Sequence, residues 1–509
     1  MKISGSALSK IDRESELYKK LVTAHPRIAA KDATTWGPKA STEAAVRLNW
    51  VDLPESSLAL LPQIANLVEK FSHLNHVVLC GMGGSSLGPE VISLTYKKEI
   101  FIFDSTDPNY AGHIVADNLS KTVVVVSSKS GSTIETSSQR ALFEERFTLS
   151  GLNPVDHMVF VTDPGSPLDI DVRSKGFTVV NADPNVGGRY SVLSAFGLVP
   201  SALAGAPIDE ILADARHEKS EFLSDPQTVI DVSYLAATQS EQYIAFTDAQ
   251  SAVPGLSDWI EQLIAESTGK DATGRLPIAT EGVEAIGGAL TVAYAGSTAD
   301  LIVEGALGAH FIFWEWVTAL LGKALNIDPF NQPNVTEAKE QTAACLADWN
   351  NVVPTLTPEC IDGSVEIFGD GQSLKDALAT FIEDVKDGGY IAIMAYLDRI
   401  DDVKIAELRS ILAKKSGRPT SFGWGPRFLH STGQFHKGGQ KNGSFLQITG
   451  ETSIDFEIPG RAMSLRTLLF AQAIGDARTL QTRKYPLLRL HLQNRSAGID
   501  EILAAARSL

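Results

Sequence analysis

Residues 76–89 read HVVLCGMGGSSLGP, and residues 123–136 read VVVVSSKSGSTIET. Each segment is a run of buried-strand residues that leads into a glycine- or serine-rich loop and then into the start of a helix. Backbone N–H groups at a helix N-terminus point outward and, together with the helix dipole, favour an anion. The second loop adds several hydroxyl groups and Lys129, which suit the many acceptor oxygens of a phosphate monoester. The two segments therefore predict one phosphate-binding cradle.

Strand and helix patterns alternate around these two loops. The predicted strands are 76–80, 100–104, 122–127, 157–162 and 177–180, and the predicted helices between them include 87–96 and 133–148. Alternation of this kind, with apolar and β-branched strands, favours a doubly wound parallel sheet. Ligands of such sheets bind beyond the carboxyl ends of the strands, which is where both loops are expected.

A second alternating region begins near residue 213. Its predicted strands are 242–247, 289–295, 364–368, 389–396 and 444–448, and its predicted helices are 257–267, 306–325, 333–349 and 373–385. The last 50 residues predict a helix from about 463, a strand near 485–491 and a terminal helix. The fold class predicted from these patterns is α/β, with two doubly wound parallel-sheet domains and helical segments at both ends. The predicted divisions are 1–72 for an N-terminal helical segment, 73–212 and 213–460 for the two sheet domains, and 461–509 for a C-terminal segment that packs on the core.

The bulk composition is that of a globular protein. The 509 residues are 21% charged and 44% hydrophobic, which argues against a disordered chain or a membrane protein. The formal net charge is −17, and we find no basic stripe of the kind that binds nucleic acid. The most apolar stretch, 301–327, contains Glu304, His310, Glu315 and Lys323, so it is interpreted as a core helix and not as a membrane span.

Cysteine usage and the N-terminus favour a cytoplasmic location. Cys80, Cys345 and Cys360 form no CxxC pair and no plausible disulfide framework, which fits a reducing compartment. Residues 1–17 alternate charged and polar residues and lack the apolar core of a signal peptide. The sequence contains no HExxH motif and no cluster of His and Cys ligands, so we predict neither a metal nor a cofactor.

The first loop taken alone also fits a dinucleotide-binding fold. Asp104 follows the second predicted strand at about the place of a ribose-binding acid. However, Ser86 occupies the third small position of the GxGxxG pattern, and Gly84 and Ser85 crowd its middle. A nicotinamide-dependent oxidoreductase is therefore retained as an alternative.

Two further segments place an ionisable residue near glycine. Residues 185–191 read NVGGRYS and contain Arg189, and residues 262–270 read QLIAESTGK and contain Glu266. Taken singly, each charged residue is more typical of an ion pair than of catalysis. Together with the two loops and the segment FNQPNVTEAK at 330–339, however, they resemble the glucose-6-phosphate isomerase family of the SIS-domain sugar isomerase superfamily.

The resemblance covers at least residues 76–340 and is closest to the isomerase half of transaldolase–isomerase fusions. It implies that the two sheet domains are SIS-type, flavodoxin-like domains. It also implies a substrate-binding set made of Gly84, Ser85, Ser128, Lys129, Ser130, Ser132, Thr133 and Gln262. By the same resemblance, Glu266 is the catalytic base and Arg189 stabilises the enediolate intermediate.

The remaining catalytic residues implied by the resemblance are a lysine and a histidine. The family motif Phe-Asp-Gln-x-Gly-Val-Glu-x-x-Lys ends in a catalytic lysine, which corresponds to Lys339 here, although Asn331, Asn334 and Thr336 depart from the motif.

The histidine segment of the family resembles LHSTGQ at 429–434, which implies that His430 assists ring opening. In the family this histidine precedes the lysine, so the segment is relocated in this chain. His436 is the competing candidate, and a third alternative is that neither histidine is catalytic.

The implied activity is the reversible isomerisation of glucose 6-phosphate and fructose 6-phosphate through ring opening and a cis-enediolate, without a metal. One alternative is a non-catalytic SIS module that senses a phosphosugar, and another is an isomerase that also accepts mannose 6-phosphate. The implied partners are the sugar phosphate, a second subunit in a homodimer and, functionally, a transaldolase. Neither nucleic acid nor a membrane is an expected partner.

Overall fold

The computed structural model describes residues 1–115, 118–284, 287–296 and 298–509. The strands are β1 (Lys2–Ser4), β2 (His76–Cys80), β3 (Phe101–Phe103), β4 (Thr122–Ser127), β5 (Met158–Thr162), β6 (Thr178–Asn181), β7 (Tyr243–Thr247), β8 (Leu276–Ala279), β9 (Leu290–Ala293), β10 (Leu301–Glu304), β11 (Cys360–Asp362), β12 (Val365–Phe368), β13 (Tyr390–Tyr396), β14 (Thr420–Trp424), β15 (Gly443–Gly450) and β16 (Leu487–Leu492). The α-helices are α1 (Glu16–Ala29), α2 (Ser41–Ala44), α3 (Leu53–Ser56), α4 (Leu61–Lys70), α5 (Leu87–Tyr96), α6 (Pro108–Val115), α7 (Ile134–Leu149), α8 (Pro167–Ser174), α9 (Ala195–Leu203), α10 (Ile208–Ser224), α11 (Gln227–Ala237), α12 (Leu256–Thr268), α13 (Leu307–Leu325), α14 (Val335–Asp348), α15 (Leu374–Glu383), α16 (Leu408–Ser416), α17 (Gly433–Gly438), α18 (Leu465–Thr482) and α19 (Arg495–Arg507).

The chain forms two compact units. The first comprises the described residues of Met1–Asp104, Asp117–Ala285 and Ala289–Gln332. The second comprises those of Ser105–Ala116, Ile286–Gly288 and Pro333–Leu509, so helix α6 belongs to the second unit although it follows β3 in the chain. The division into four segments stays a prediction. In the described part of the chain, no helix has the length and apolar character needed to cross a bilayer.

The first sheet of the first unit is entirely parallel and has the strand order β3-β2-β4-β5-β6. Every residue of β4 is buried, as expected for a valine-rich strand covered on both faces. Strands β2 and β4 are neighbours, with Cys80 opposite Val126. The loops that follow these two strands therefore leave the same edge of the sheet side by side, which is the arrangement the phosphate cradle requires.

The second sheet of the first unit has the order β1-β10-β9-β7-β8. All its pairings are parallel except that of β1 with β10. Helix α13 is almost wholly buried and contributes Trp314 and Trp316 to the core of this unit. Because α13 and the neighbouring α12 are both buried in this core, their polar side chains are held in fixed positions.

The third sheet lies in the second unit and has the order β11-β12-β16-β15-β13-β14. Strands β16, β15, β13 and β14 are parallel, whereas β11 and β12 are antiparallel additions at one edge. Its apolar face includes Val365, Ile367, Leu488 and Leu490, which pack in a core of their own.

The predicted α/β class with parallel sheets is confirmed, but the strands of the second region are divided differently from the prediction. The strands predicted at 242–247 and 289–295 lie in the second sheet, whereas those at 364–368, 389–396 and 444–448 lie in the third. The reason is physical: an apolar pattern shows that a segment is buried as a strand, but it carries no information about which strand it pairs with.

Two segments expected to be helical contain strands. The N-terminal segment begins with β1, and the stretch 301–327 begins with β10 before α13 starts at Leu307. Leu301, Ile302 and Val303 are apolar and largely β-branched, and Gly305 separates them from the helix. A short apolar run next to a long buried helix cannot be distinguished from that helix by periodicity alone.

Candidate functional site

The first glycine-rich loop connects β2 to α5 and is buried against another loop of the same unit. Gly83 has a φ of +57°, a conformation that glycine adopts without strain. A Cβ atom at Gly84 would lie 2.1 Å from the carbonyl oxygen of Gly188. The loop after β2 therefore packs directly on the segment that carries Arg189, and this close approach requires glycine at position 84. Ser85 is half-buried in the same turn.

The second loop presents hydroxyl groups at the start of α7. Ser128 Oγ accepts a hydrogen bond from the N–H of Gly131 at 3.1 Å, which folds the loop back on itself. Ser130 and Ser132 are exposed, and their hydroxyl oxygens are 2.7 Å apart. Thr133 is the N-cap position of α7. The loop thus combines exposed hydroxyls with the N-terminal end of a helix dipole, a combination suited to a phosphate.

Lys129 braces this loop and is ion-paired. Its Nζ donates hydrogen bonds to Asp163 Oδ1 and to the carbonyl oxygen of Val186, both at 2.9 Å. Burial raises the pKa of Asp163, and the neighbouring Lys129 opposes that rise. Sequence reasoning missed Asp163, because it lies 34 residues from its partner with no shared motif.

We expect Gly84→Ala to destabilise the first unit, since the new Cβ would collide with a backbone carbonyl that has no free rotation to move aside. Overpacking of this kind costs about 1–3 kcal/mol, so we expect a lower thermal midpoint. Gly188→Ala is the matched control, because no heavy atom lies within 4 Å of the Cβ that it would add. Equal midpoints for the two variants would contradict this account of the loop contact.

Arg189 is buried in the loop after β6, and each nitrogen of its guanidinium donates a hydrogen bond. Its Nε donates a hydrogen bond to Ser267 Oγ at 2.7 Å, and Nη1 donates to Gln332 Oε1 at 2.8 Å. Its Nη2 donates to the carbonyl oxygens of Pro329 and Asn331 at 2.7 and 3.2 Å. So many bonds fix the guanidinium plane, which is the condition for electrostatic stabilisation without reorganisation.

Glu266 lies next to this guanidinium. Its Oε1 is 3.5 Å from Arg189 Nη1, and its side chain is only 8% exposed. Gln262, one turn earlier on α12, donates a hydrogen bond from Nε2 to Glu266 Oε2 at 3.1 Å. Residues four apart share a helix face, so both side chains point the same way while Leu263 and Ile264 enter the core. The carboxylate is thereby oriented on one side by an amide and on the other by a cation.

Lys270 is a second buried cation of this region, and the sequence analysis gave it no role. Its Nζ donates hydrogen bonds to the carbonyl oxygens of Asp328 and Asn331 at 2.7 and 2.6 Å, and to Asn331 Oδ1 at 2.9 Å. Burial and the neighbouring Arg189 lower the pKa of Lys270 to about 7. Lys270 and Arg189 thus hold the same turn, residues 328–332. The signal for Lys270 was present, because it ends the segment QLIAESTGK.

The other predicted catalytic residues belong to the second unit. Lys339 is exposed on α14. His430 ends a short 3₁₀ helix and is half-buried. His436 is buried on α17, where its Nδ1 is 2.9 Å from Tyr390 Oη, and burial lowers the pKa of its imidazole to about 3. A histidine in that environment stays neutral. The catalytic roles of Lys339, His430 and His436 stay predictions.

A group of possible metal ligands lies elsewhere in the second unit. His113 Nε2 is 2.9 Å from Asp398 Oδ2 and 3.4 Å from Asp401 Oδ2. Imidazole nitrogen and carboxylate oxygen are ligands for several divalent metals, and the ligand atoms of these three residues lie within 4.8 Å of one another. The metal independence of the activity stays a prediction.

Comparisons with known proteins agree with the resemblance. Residues 67–282 match the family model of phosphoglucose isomerase, a range that contains both loops, Arg189, Gln262 and Glu266. The chain is similar to the glucose-6-phosphate isomerase of Campylobacter jejuni, with 30% identity over 44% of this chain and 57% of the relative. It is 32% identical to that of Citrifermentans bemidjiense over 50% of this chain and 51% of the relative. The chain thus spans about half the length of the curated relatives it matches.

A solved structure extends the likeness in fold. The crystal structure of a glucose-6-phosphate isomerase from Chlamydia trachomatis matches 68% of this chain and 86% of its own, with a TM-score of 0.52 and 19% identity. At this identity the match concerns the fold alone. The resemblance to glucose-6-phosphate isomerases is therefore confirmed, whereas the likeness to the isomerase half of a transaldolase fusion stays a prediction.

Proposed function

We propose that this chain catalyses the reversible isomerisation of glucose 6-phosphate and fructose 6-phosphate. The observation that carries the proposal is the buried pair formed by Glu266 and Arg189, with 3.5 Å between Oε1 and Nη1. This pair lies in the same unit as the hydroxyl-rich loop at the start of α7, and the loop that carries Arg189 packs against Gly84. An acid–base group, a fixed cation and a phosphate cradle are the parts that an aldose–ketose isomerase needs.

The cradle holds the phosphate in this proposal. Gly84 and Ser85 supply one loop, and the second loop supplies its set of Ser128, Lys129, Ser130, Ser132 and Thr133. The exposed hydroxyls donate hydrogen bonds to phosphate oxygens, while the N-terminus of α7 favours the negative charge of those oxygens. Lys129, paired with Asp163, acts mainly by holding the loop in shape.

Glu266 then moves a proton between C2 and C1 of the open-chain sugar. A positioned carboxylate used as a general base typically contributes roughly 10²- to 10⁴-fold. Gln262 orients the carboxylate through Oε2. Arg189, whose plane is fixed by its four other partners, stabilises the negative oxygen of the enediolate. Because one group removes and returns the proton, the same residues serve the reaction in both directions.

Ring opening is assigned to residues of the second unit. We propose that His430 and Lys339 exchange protons with the ring oxygen and the anomeric hydroxyl. His430 is preferred to His436 because the latter is buried against Tyr390. The proposal also includes a homodimer, a functional link to a transaldolase and a cytoplasmic location. The first two rest on the resemblance, and the third is supported by the fact that all three cysteines are free thiols.

The test is the turnover of fructose 6-phosphate, coupled to glucose-6-phosphate dehydrogenase and read as NADPH, with EDTA present throughout. Formation of NADPH supports both the reaction and its metal independence, and a parallel assay with mannose 6-phosphate defines the specificity. Activity that EDTA abolishes would contradict metal independence and direct attention to His113 and its acidic neighbours. Thermal stabilisation by fructose 6-phosphate without turnover would favour a phosphosugar sensor. Stabilisation by NAD instead would favour the oxidoreductase.

A further inference from the structure

A cavity of about 430 Å³ lies in the second unit, on the face of the third sheet opposite to its apolar core. Side chains alternate along a strand, so in β16 Leu488, Leu490 and Leu492 face the core while Arg489 and His491 face the cavity. Helix α18 and the loop of residues 351–356 form the other walls. Strand β12 pairs antiparallel with β16, and sheets with antiparallel edges can carry polar side chains on one face. Here that polar face encloses a cavity instead of lying open to solvent.

Arg489 is a cavity-lining residue whose positive charge has no ion-pair partner among the described residues. Its side chain makes no hydrogen bond or ion pair with any residue in the described ranges, and its Nε is wholly buried. The guanidinium carbon lies 4.7 Å from the centre of the Phe368 ring, which fixes its plane. Burial lowers the pKa of Arg489, and the field of Glu359 only partly offsets that effect. A buried donor on a cation is costly to leave without an acceptor, and an anion that reaches it removes that cost.

Three carboxylates line the cavity, and each already accepts a hydrogen bond. Asp455 Oδ1 accepts one from the N–H of Arg466 at 3.0 Å. Glu451 Oε2 pairs with Arg466 Nη2 at 2.6 Å. Glu366 Oε1 accepts a hydrogen bond from Gln493 Nε2 at 2.8 Å. Among the described residues that line the cavity, two arginines keep a buried donor without an acceptor: the Nε of Arg466 and the Nε of Arg489. An incoming oxyanion therefore finds two buried donors that no acceptor of the described residues satisfies.

We propose that this cavity binds a small organic oxyanion, a molecule with a carboxylate or phosphate group on a compact carbon skeleton. The oxyanion group pairs with the planar fork of Arg489, which suits two-point recognition of such groups. The skeleton lies against Phe470 and the apolar residues Val352 and Leu356 of the covering loop. The volume falls in the range of small-molecule sites. The residues of this cavity belong to the second unit, whereas the proposed phosphate cradle belongs to the first, so the two sites are built from different residues.

The experiment uses phenyl phosphate, which combines a phosphate with a compact apolar ring, and inorganic phosphate as a second probe. Titration calorimetry and thermal midpoints are measured on the full chain in a buffer free of both. Because these probes can also enter the cradle, every variant is made in a Ser130→Ala/Ser132→Ala background, in which two exposed hydroxyls of the cradle are removed. If the hypothesis of a phosphate cradle is wrong, this background still tests binding at the second site.

In that background we expect phenyl phosphate to raise the thermal midpoint, and to bind more tightly than inorganic phosphate because of its ring. Arg489→Met should weaken binding about 10- to 100-fold, the usual loss for a charge-assisted hydrogen-bonded pair. Arg489→Lys, which keeps the charge but loses the planar fork, should lie between the two. Arg507→Met is the matched control, since Arg507 is half-exposed and paired with Glu407, and it should bind as the background does. Absence of binding in the background, or unchanged binding by Arg489→Met, would overturn the proposal.

Discussion

Replacing Glu266 by glutamine is expected to lower kcat for fructose 6-phosphate by roughly 10²- to 10⁴-fold, the usual contribution of a general base. The amide has nearly the same volume as the carboxylate but cannot take a proton at neutral pH. Its single oxygen can still accept the hydrogen bond from Gln262 Nε2. Because the phosphate end of the substrate is bound by other residues, affinity for fructose 6-phosphate should change far less than turnover.

The coupled NADPH assay measures kcat, and titration calorimetry measures fructose 6-phosphate affinity on the same preparations. Asp258→Asn provides the control: it makes the same chemical change at an exposed position on the first turn of α12. That variant should retain turnover and affinity. Full activity of Glu266→Gln would show that another group is the base, and a parallel loss of affinity would show that Glu266 serves binding and not proton transfer.

Sequence could predict the two loops because their chemistry is local. Residues 76–89 and 123–136 each contain a strand, a turn and the start of a helix, so one segment carries the whole signal. The structure adds what a single segment cannot show, namely that β2 and β4 are adjacent. Only the family resemblance placed Arg189 and Glu266 in one site, because they lie 77 positions apart in the chain and no periodicity links them.

The features that sequence could not supply depend on contacts between distant segments. Lys270 is buried because residues 328–332 fold over it. The sequence around Lys270 does not predict this contact. Arg489 lies in a strand of alternating apolar residues, so its pattern is that of an ordinary solvent-facing position. It becomes informative only when the structure shows a cavity beside it and, among the described residues, no acceptor for its buried Nε. The third sheet was not predicted for the same reason, because the hydrophobic periodicity of a strand does not show which strand it pairs with.

Replacing Arg189 by lysine is the second change with a large expected effect. The positive charge remains, but one ammonium group cannot reach Ser267, Gln332 and the turn at 328–332 together. Loss of one preorganised group that stabilises an oxyanion typically costs about 10²- to 10³-fold in kcat. Arg173→Lys is the control in the same unit, where a half-exposed guanidinium on α8 pairs with Asp169. It should leave kcat and the thermal midpoint unchanged.

Arg189 also has structural partners, so turnover alone does not separate catalysis from packing. The thermal midpoint of Arg189→Lys shows how much of its loss of activity comes from weakened packing. The double variant with Glu266→Gln shows how much comes from lost catalysis. If the guanidinium stabilises the enediolate that Glu266 generates, it has little to act on once the base is gone. The double variant should then lose no more kcat than the more severe single variant, as groups that act as a unit do. Independent, multiplying losses would instead mean that Arg189 supports the fold of the site while the oxyanion is stabilised elsewhere.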